Sequence, residues 1–526
     1  MKTVAIFAAA LAFAATPLAA ADPVAIPVTV ASGQNGPLSG RIIVFAQRVE
    51  PGAAPSQEID SSPFAPTETA VAAREVESLR PGEVAIVDGE ADTFPAPFSA
   101  LPAGTYRFQA VLDRNHDYNY SGRAPGDIVS PVVEARLPGP VPSLVLTDTI
   151  PEPAPGASFS RAPEAQRPAL RAAWDQAVAV DFTSPKLSAF WGRPIHMRGW
   201  IALPPGYDPH AQATYPVVYW THGFGGNLAG ARVTAAQMRV RMENGEIPPM
   251  IWVCLDESSP TGTHEFADSV NNGPWGEALT TELLPWLERT YRMDARPSGR
   301  FLTGHSSGGW ATLWLQTRYP AIFGGTWSTS PDPSDFHDFT NIDLYAPNAN
   351  AYRMADGRPT PLVRDHARQI ATLEQFARLE QVIGPYGGQF ASFDWVFSPK
   401  GPDGRPLPMF DRASGAVNPD VVAYWRENYD IAYRTERDWP RIGRDLDGKI
   451  HVIVGTADTF YLDGPAHRLQ AVLDRLGAHA SFTFIPDRTH MDLYQQGDDR
   501  MGLVRDIARQ IYAVARPGSN WTPRTH

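Results

Sequence analysis

Arg300-Phe301-Leu302-Thr303-Gly304-His305-Ser306-Ser307-Gly308-Gly309 is the stretch on which the reading of this 526-residue chain turns. Arg300 to Thr303 has the composition of a short buried strand, and Gly309 to Arg318 carries apolar residues at helical spacing. Between them Ser306 is flanked by Gly304 and Gly308, a G-x-S-x-G pattern. A serine at a sharp strand-to-helix turn is exposed at the strand end. Glycines on either side let the backbone pass its neighbours without a Cβ clash. The same turn aims the N-terminus of the new helix at whatever reacts with the serine. Glycine-rich turns are common, so it is the strand before and the helix after that favour a nucleophile. Ser307 lies off the pattern, and its N–H is better placed as a donor to a developing oxyanion.

Working outward, Thr221-His222-Gly223-Phe224-Gly225-Gly226 follows a second apolar strand, Tyr215 to Trp220. Acyl transfer needs two N–H groups aimed at the oxygen that becomes negative, each worth about 3–4 kcal/mol in the barrier. An H-G-x-G-G turn after a strand can supply the second, here assigned to Phe224 with Gly223 flanking it. The acid and the imidazole are then expected in chain order on loops after late strands. Ile450 to Val454 leads to Asp458, with Asp463 as the alternative acid, and Phe482 to Ile485 leads to His490. Asp458 is favoured because it follows its strand at once and can be buried against the ring. Among 13 histidines, His490 stands out because it follows both elbow and acid on the loop directly after a final strand. His222 and His305, inside the two motifs, are expected to have backbone or pocket roles. No H-E-x-x-H or comparable spacing indicates a catalytic zinc, and the chemistry needs neither metal nor cofactor.

Strands alternating with amphipathic helices over residues 169–516 imply an α/β domain built on a parallel sheet. Trp275 to Tyr291 and Asp365 to Val382 read as helices, and a long insertion occupies about 334–440. Residues 22–150 read differently, as short β-type runs broken by Gly, Pro, Asn and Asp: Val24 to Val30, Gly40 to Arg48, Glu83 to Val87, Tyr106 to Leu112 and Ser143 to Thr147. A small all-β sandwich is expected there, joined by a proline-rich linker at 151–168; residues 517–526 form a tail. Residues 1–21 combine Lys2, a short apolar run and Ala19-Ala20-Ala21, the pattern of a secretory signal peptide, so the protein is expected in the periplasm or outside the cell. No later apolar run reaches the roughly 18 residues of a membrane span. The single cysteine, Cys254, rules out intramolecular disulfides and sits in a strand-like run where it reads as an inert core thiol. A net charge of −12 argues against general affinity for nucleic acid. Oligomeric state is not legible.

Pro204-Pro205-Gly206-Tyr207, His222 to Gly226, Asn272-Gly273-Pro274-Trp275-Gly276, Glu282-Leu283-Leu284-Pro285, the elbow, Asp458-Thr459-Phe460 and His490 together resemble the esterase family that includes esterase D (S-formylglutathione hydrolase), enterochelin esterases and modules of secreted feruloyl esterases. The resemblance covers roughly Asp181 to Ala515. It implies an α/β-hydrolase fold and hydrolysis of carboxylic esters, small or carbohydrate-linked, through an acyl-enzyme on Ser306, His490 and Asp458. Trp275, His222 and His305 are candidate pocket residues. The long insertion departs from the compact members, so a cap over the site is expected and their substrates do not transfer. A peptidase or acyltransferase on the same triad is the alternative chemistry, and a glycan-binding protein with a disabled hydrolase fold the alternative class. The N-terminal region resembles small transthyretin-like domains. Within it Asp113-Arg114-Asn115-His116-Asp117-Tyr118-Asn119 alternates oxygen ligands as calcium loops do, but lacks their glycine and closing glutamate, and reads as a hairpin loop held by Asx turns.

Overall fold

The computed structural model describes residues 23–524, apart from 53, 117–122, 155–156, 161 and 385–387. The signal-peptide reading and the Asp117 to Asn119 part of the candidate calcium loop therefore lie outside the described residues. In the part that is described, Asn115 N–H donates to Asp113 Oδ1 at 3.2 Å, an Asx-type turn.

An eight-stranded sheet organises the chain from residue 178 onward. Its strands are β1 (Val178–Thr183), β2 (His196–Ala202), β3 (Val217–Thr221), β4 (Ile251–Leu255), β5 (Arg300–His305), β6 (Gly325–Thr329), β7 (Ile450–Gly455) and β8 (Ala480–Ile485), in the order β1-β2-β4-β3-β5-β6-β7-β8. From β4 to β8 every neighbouring pair is parallel. β1 with β2, and β2 with β4, are antiparallel, so the expected parallel sheet is mixed at one edge. The central strands are buried on both faces, and alternate residues serve two cores. Val218, Trp252, Cys254 and Phe301 pack beneath helices α1 (Leu228–Asn244) and α5 (Leu503–Ala515). Val217, Tyr219, Val253 and Leu302 face the other side, where Leu315 of helix α2 (Ser307–Arg318) joins them. β1 has one burial-rich face only and reads weakly in sequence for that reason.

The N-terminal region is two packed β-sheets. Ala25–Val30, Val84–Asp88 and Leu144–Leu146 form the smaller; Leu38–Arg48, Thr69–Leu79 and Gly104–Asp113 run antiparallel at the centre of the larger. Val28, Val30, Ile42, Val44 and Leu112 fill the space between them. Thr69–Leu79 was not among the strands expected, because its alanines and glutamates carry little β propensity; burial between two partners decides it. The outer face of the larger sheet, with Ile43, Phe45 and Val71, packs on Leu379, Val382 and Ile383 of helix α3 (Leu373–Ile383).

That helix belongs to the insertion. Asp365 to Val382 is not one helix as its composition suggested: Pro361–Asp365 and Arg368–Thr372 form a hairpin turning at His366, φ 54°. α3 starts only after Thr372, whose hydroxyl accepts from Gln375 N–H while the Gln375 side chain accepts from Thr372 N–H, a capping box that ends the strand. Phe336, Phe339, Phe397 and Trp425 of the insertion share one core with Trp310 and Trp314 of α2, so the insertion is packed onto the helix that follows Ser306.

Candidate active site

Register brings the two glycine-rich motifs together. Thr221 of β3 pairs with Gly304 of β5, so His222-Gly223 and His305-Ser306 leave their strands side by side. A Cβ at Gly223 would lie 2.9 Å from the Ser306 Cβ, and one at Gly308 2.3 Å from the His222 carbonyl oxygen. Neither contact is tolerable, which is the physical demand for glycine in both motifs. Ser306 itself stands at φ 62°, ψ −127°, in a region that costs a non-glycine residue about 1–3 kcal/mol. The turn is held by Ser306 N–H to the Thr329 carbonyl (3.1 Å) and by the Ser306 carbonyl receiving Trp310 N–H (2.9 Å), the first bond of α2. Ser306 is half-buried, whereas Ser307 is buried and its hydroxyl donates to Asp332 Oδ2 at 2.6 Å. The N–H of Ser307 opens α2, where helix geometry leaves it without an intrahelical acceptor.

β7 and β8 deliver the next pair. His490 Nδ1 is 2.9 Å from Asp458 Oδ2, both side chains buried. Asp458 Oδ1 accepts from the N–H groups of Phe460 (2.9 Å) and Leu462 (3.3 Å), so its two oxygens face different partners. Burial by itself would raise the Asp458 carboxyl, but the charge and hydrogen bond of His490 and the Phe460 N–H together hold it below the usual carboxylate range. An ionised Asp458 keeps the proton on His490 Nδ1 and leaves Nε2 free to accept. The alternative acid, Asp463, is elsewhere: at the start of helix α4 (Asp463–Arg475), it pairs with Arg364 at 2.8 Å. His305 lies against His490, ring centroids 4.3 Å apart, and its Nε2 donates to the His490 carbonyl at 3.1 Å. Burial, with the neighbouring His490 charge, pushes His305 down to about 3, so it is a neutral support for the His490 loop.

His222 shapes the other side. Its Nδ1 is 2.8 Å from the Gly223 carbonyl oxygen, which also receives Gly226 N–H at 3.0 Å, and its Nε2 is 2.8 Å from Asp256 Oδ1. Burial opposes the charged ring, but Asp256, Glu257 and the Gly223 carbonyl raise it above its ordinary value, and Nε2 also receives Glu257 N–H at 3.1 Å. In a planar trans peptide the Gly223 carbonyl and the Phe224 N–H point opposite ways, so fixing the one aims the other. Trp275 is a candidate pocket residue. It stacks on His264 (3.6 Å, 5°) and donates to the Asn272 carbonyl, which makes it a wall of the loop beside β4.

Sequence reading missed several contributors. Asp332, just beyond β6, touches the elbow from both sides: its N–H donates to the Ser306 carbonyl (3.3 Å) and its carboxyl receives Ser307; burial pushes it up to about 6. Glu257 is fully buried and pushed up to about 8 by that burial. Arg364 of the insertion clamps the acid loop, donating from Nε to the Asp458 carbonyl (2.7 Å) and from Nη2 to Asp463, above the Tyr461 ring. Its position after a valine in an inserted hairpin gave no signal. A 280 Å³ cavity lined by Glu380, Asp394, Arg405 and Arg412 lies within the insertion. Among the described residues no three His, Cys, Asp or Glu side chains are grouped to hold a metal ion, and no helix is long and apolar enough to cross a membrane.

The elbow thus leaves the middle of a mostly parallel sheet whose later strands carry carboxylate and imidazole in chain order, and the fold is that of the α/β-hydrolases. Residues 191–479, more than half of the chain, match the family model described as Putative esterase, and the chain belongs to that family. Two esterases of Mycobacterium tuberculosis, from strains CDC 1551 / Oshkosh and ATCC 25618 / H37Rv, are each 30% identical to it over 141 residues, 26% of this chain. The chain matches 30% of the length of these relatives. Among solved structures, similarity extends to a ferulic acid esterase of Anaeromyces mucronatus (13% identity, 64% of this chain and 89% of that one, TM-score 0.34). It extends also to S-formylglutathione hydrolase of Staphylococcus aureus (11% identity, 65% and 98%, TM-score 0.40).

Proposed function

We propose that this protein is an exported serine esterase, acting on small or carbohydrate-linked carboxylic esters with Ser306 as nucleophile, His490 as general base and Asp458 as its orienting acid. The observation that carries the reading is the buried Asp458–His490 hydrogen bond of 2.9 Å, on the loops of adjacent strands, beside a serine at positive φ. His490 Nε2 takes the Ser306 proton as Oγ attacks the ester carbonyl. The oxyanion is received by the N–H groups of Ser307 and Phe224, the latter aimed by His222. His490 returns the proton to the leaving alkoxide, and water activated by the same nitrogen releases the acid from the acyl-enzyme. No step calls for a metal or cofactor. Export rests on the N-terminal pattern of the sequence.

The test is hydrolysis of p-nitrophenyl esters from acetate to octanoate by the mature protein, Ser306→Ala and His490→Ala. Turnover by the wild type with each variant lower by several orders of magnitude is expected. A silent wild type, or a Ser306→Ala protein that keeps its rate, refutes the assignment. Faster cleavage of amides than of activated esters would move it to the peptidase chemistry. The N-terminal residue of protein recovered outside the cytoplasm tests export: a start at Ala21 or Asp22 is expected, and an intact Met1 in the cytoplasm refutes it.

A further inference from the structure

The N-terminal β-domain reaches the reacting centre. Phe64 stands on the segment between the strands Leu38–Arg48 and Thr69–Leu79, and its ring lies 6.3 Å from that of Phe460. Phe460 in turn meets the His490 imidazole edge-on, centroids 5.0 Å apart. Phe64 is one of the few large apolar side chains left open, 44% exposed, and Met491, next to His490, is 61% exposed. Phe64 and Phe460 thus form an apolar rim beside the imidazole, contributed by two different domains.

The rim is held in place. Ile59, on the same segment, is buried with Leu379, Val382 and Ile383 in the core shared by the two domains. Its N–H donates to Gln109 Oε1 at 2.9 Å. Phe64 N–H donates to Ser62 Oγ (3.2 Å), and the turn closes with Ala65 N–H to the Ser62 carbonyl. The buried Arg41 donates to the Val382 carbonyl at 2.8 Å and ties the sheet to α3. An aromatic on such an anchored segment offers a surface already in position, which is what a binding wall needs.

Which part of a substrate meets it follows from the chemistry. The imidazole must hand its proton to the leaving oxygen, so the alcohol side of the ester leaves past His490, whose ring Phe460 meets edge-on, with Phe64 next to Phe460. We infer that Phe64 of the β-domain, with Phe460, forms the alcohol-side subsite of the esterase and selects esters whose alcohol carries a ring or a comparable apolar group. The inference rests on the esterase reading above and gives the β-domain a part in specificity. Sheltering about half of a phenyl ring at the usual gain per area predicts roughly a tenfold preference.

The experiment compares kcat/KM for 2-phenylethyl butyrate and ethyl butyrate, alkyl esters of one acid with unactivated alcohols, in the wild type, Phe64→Ala and Phe64→Tyr. The expected result is a ratio that falls about tenfold in Phe64→Ala through the aromatic ester alone, is restored in Phe64→Tyr, and is accompanied by an unchanged melting temperature. An unchanged ratio overturns the subsite. A loss confined to ethyl 3-phenylpropionate, which carries its ring on the acid, overturns the alcohol-side placement. Absence of turnover of every ester by the wild type refutes instead the esterase reading on which the inference stands.

Discussion

Asp458→Asn separates orientation of the imidazole from its mere presence. Asp458 Oδ1 receives two backbone N–H groups, from Phe460 and Leu462, while Oδ2 faces His490 Nδ1. An asparagine has one oxygen, and the two backbone donors claim it. Turning the amide over would set its NH2 against two N–H groups and forfeit two hydrogen bonds, a penalty of about 2–6 kcal/mol once each buried donor is left unpaired. The amide NH2 therefore points at His490 Nδ1, which must accept, and the imidazole proton moves to Nε2. In that tautomer the ring cannot take the Ser306 proton. An exchange of this kind in a serine triad costs about 10⁴ in kcat with geometry intact. The assay is p-nitrophenyl butyrate hydrolysis at pH 8 together with a thermal melt, with Asp463→Asn as comparison. Asp463 bonds Arg364 and not the imidazole, so its variant should retain kcat within about tenfold. A folded Asp458→Asn protein within tenfold of the wild type would refute the argument, and a collapse in Asp463→Asn alone would return the role to the alternative acid.

Other consequences follow from neighbouring contacts. Gly223→Ala sets a Cβ 2.9 Å from the Ser306 Cβ and should cut kcat at least a hundredfold, read in the same assay. His222→Ala frees the Gly223 carbonyl and should lower kcat with little change in KM, since the Phe224 N–H is needed chiefly in the transition state. Arg364→Ala removes the clamp from the acid loop, a partly buried pair with a second bond to the Asp458 carbonyl; a loss of about 1–3 kcal/mol in urea unfolding is expected, with kcat falling in step. Glu257, raised to about 8, binds a proton in the folded state that it releases when unfolded above the ordinary carboxylate range. Its contribution is therefore present below about 4.5 and fades as pH rises through 8, so Glu257→Gln should melt higher than the wild type at pH 9 and the gap should close by pH 5. His305 and His264, each pushed down to about 3 by burial, act oppositely: their contribution to stability falls as pH drops from 6.5 toward 3, and a difference in melting temperature between the wild type and His264→Gln that stays constant across that interval would show that His264 is not buried neutral.

The parts of the molecule legible in sequence are those where a local conformation has few solutions. Ser306 at positive φ requires glycines around it, and a strand buried on both faces requires a run such as Val217 to Thr221. Where tertiary contacts decide, the sequence is silent or misleading. Thr69–Leu79 gives no strand signal until two strands flank it, and Asp365 to Thr372 looks helical until His366 turns it back. Asp332 and Arg364 belong to the same class. Nothing in their neighbours announces them, because their contacts are with residues reached only after the sheet has formed.

The acid loop shows what that dependence means for the site. Gly455 to Asp463 must present one carboxylate to one imidazole; within the loop the Asp458 carbonyl receives Tyr461 N–H at 3.1 Å, and that carbonyl and the Asp463 side chain are both also bound by Arg364, more than ninety residues earlier. The hairpin carrying Arg364 is fixed by α3, and α3 is sandwiched against the β-domain by Val382 and Ile383. A perturbation of the β-domain core therefore has a packed route to the Asp458–His490 pair through three contacts, each with a named partner. Ile43→Ala, buried on the outer face of the β-domain sheet, opens a cavity there and should cost about 2–5 kcal/mol of stability. If the β-domain were only a spacer, the folded Ile43→Ala protein would keep its full kcat at 25 °C. If it supports the acid loop, kcat should fall together with stability, and Arg364→Ala combined with Ile43→Ala should lose less activity than the product of the single losses, because both act on the same link.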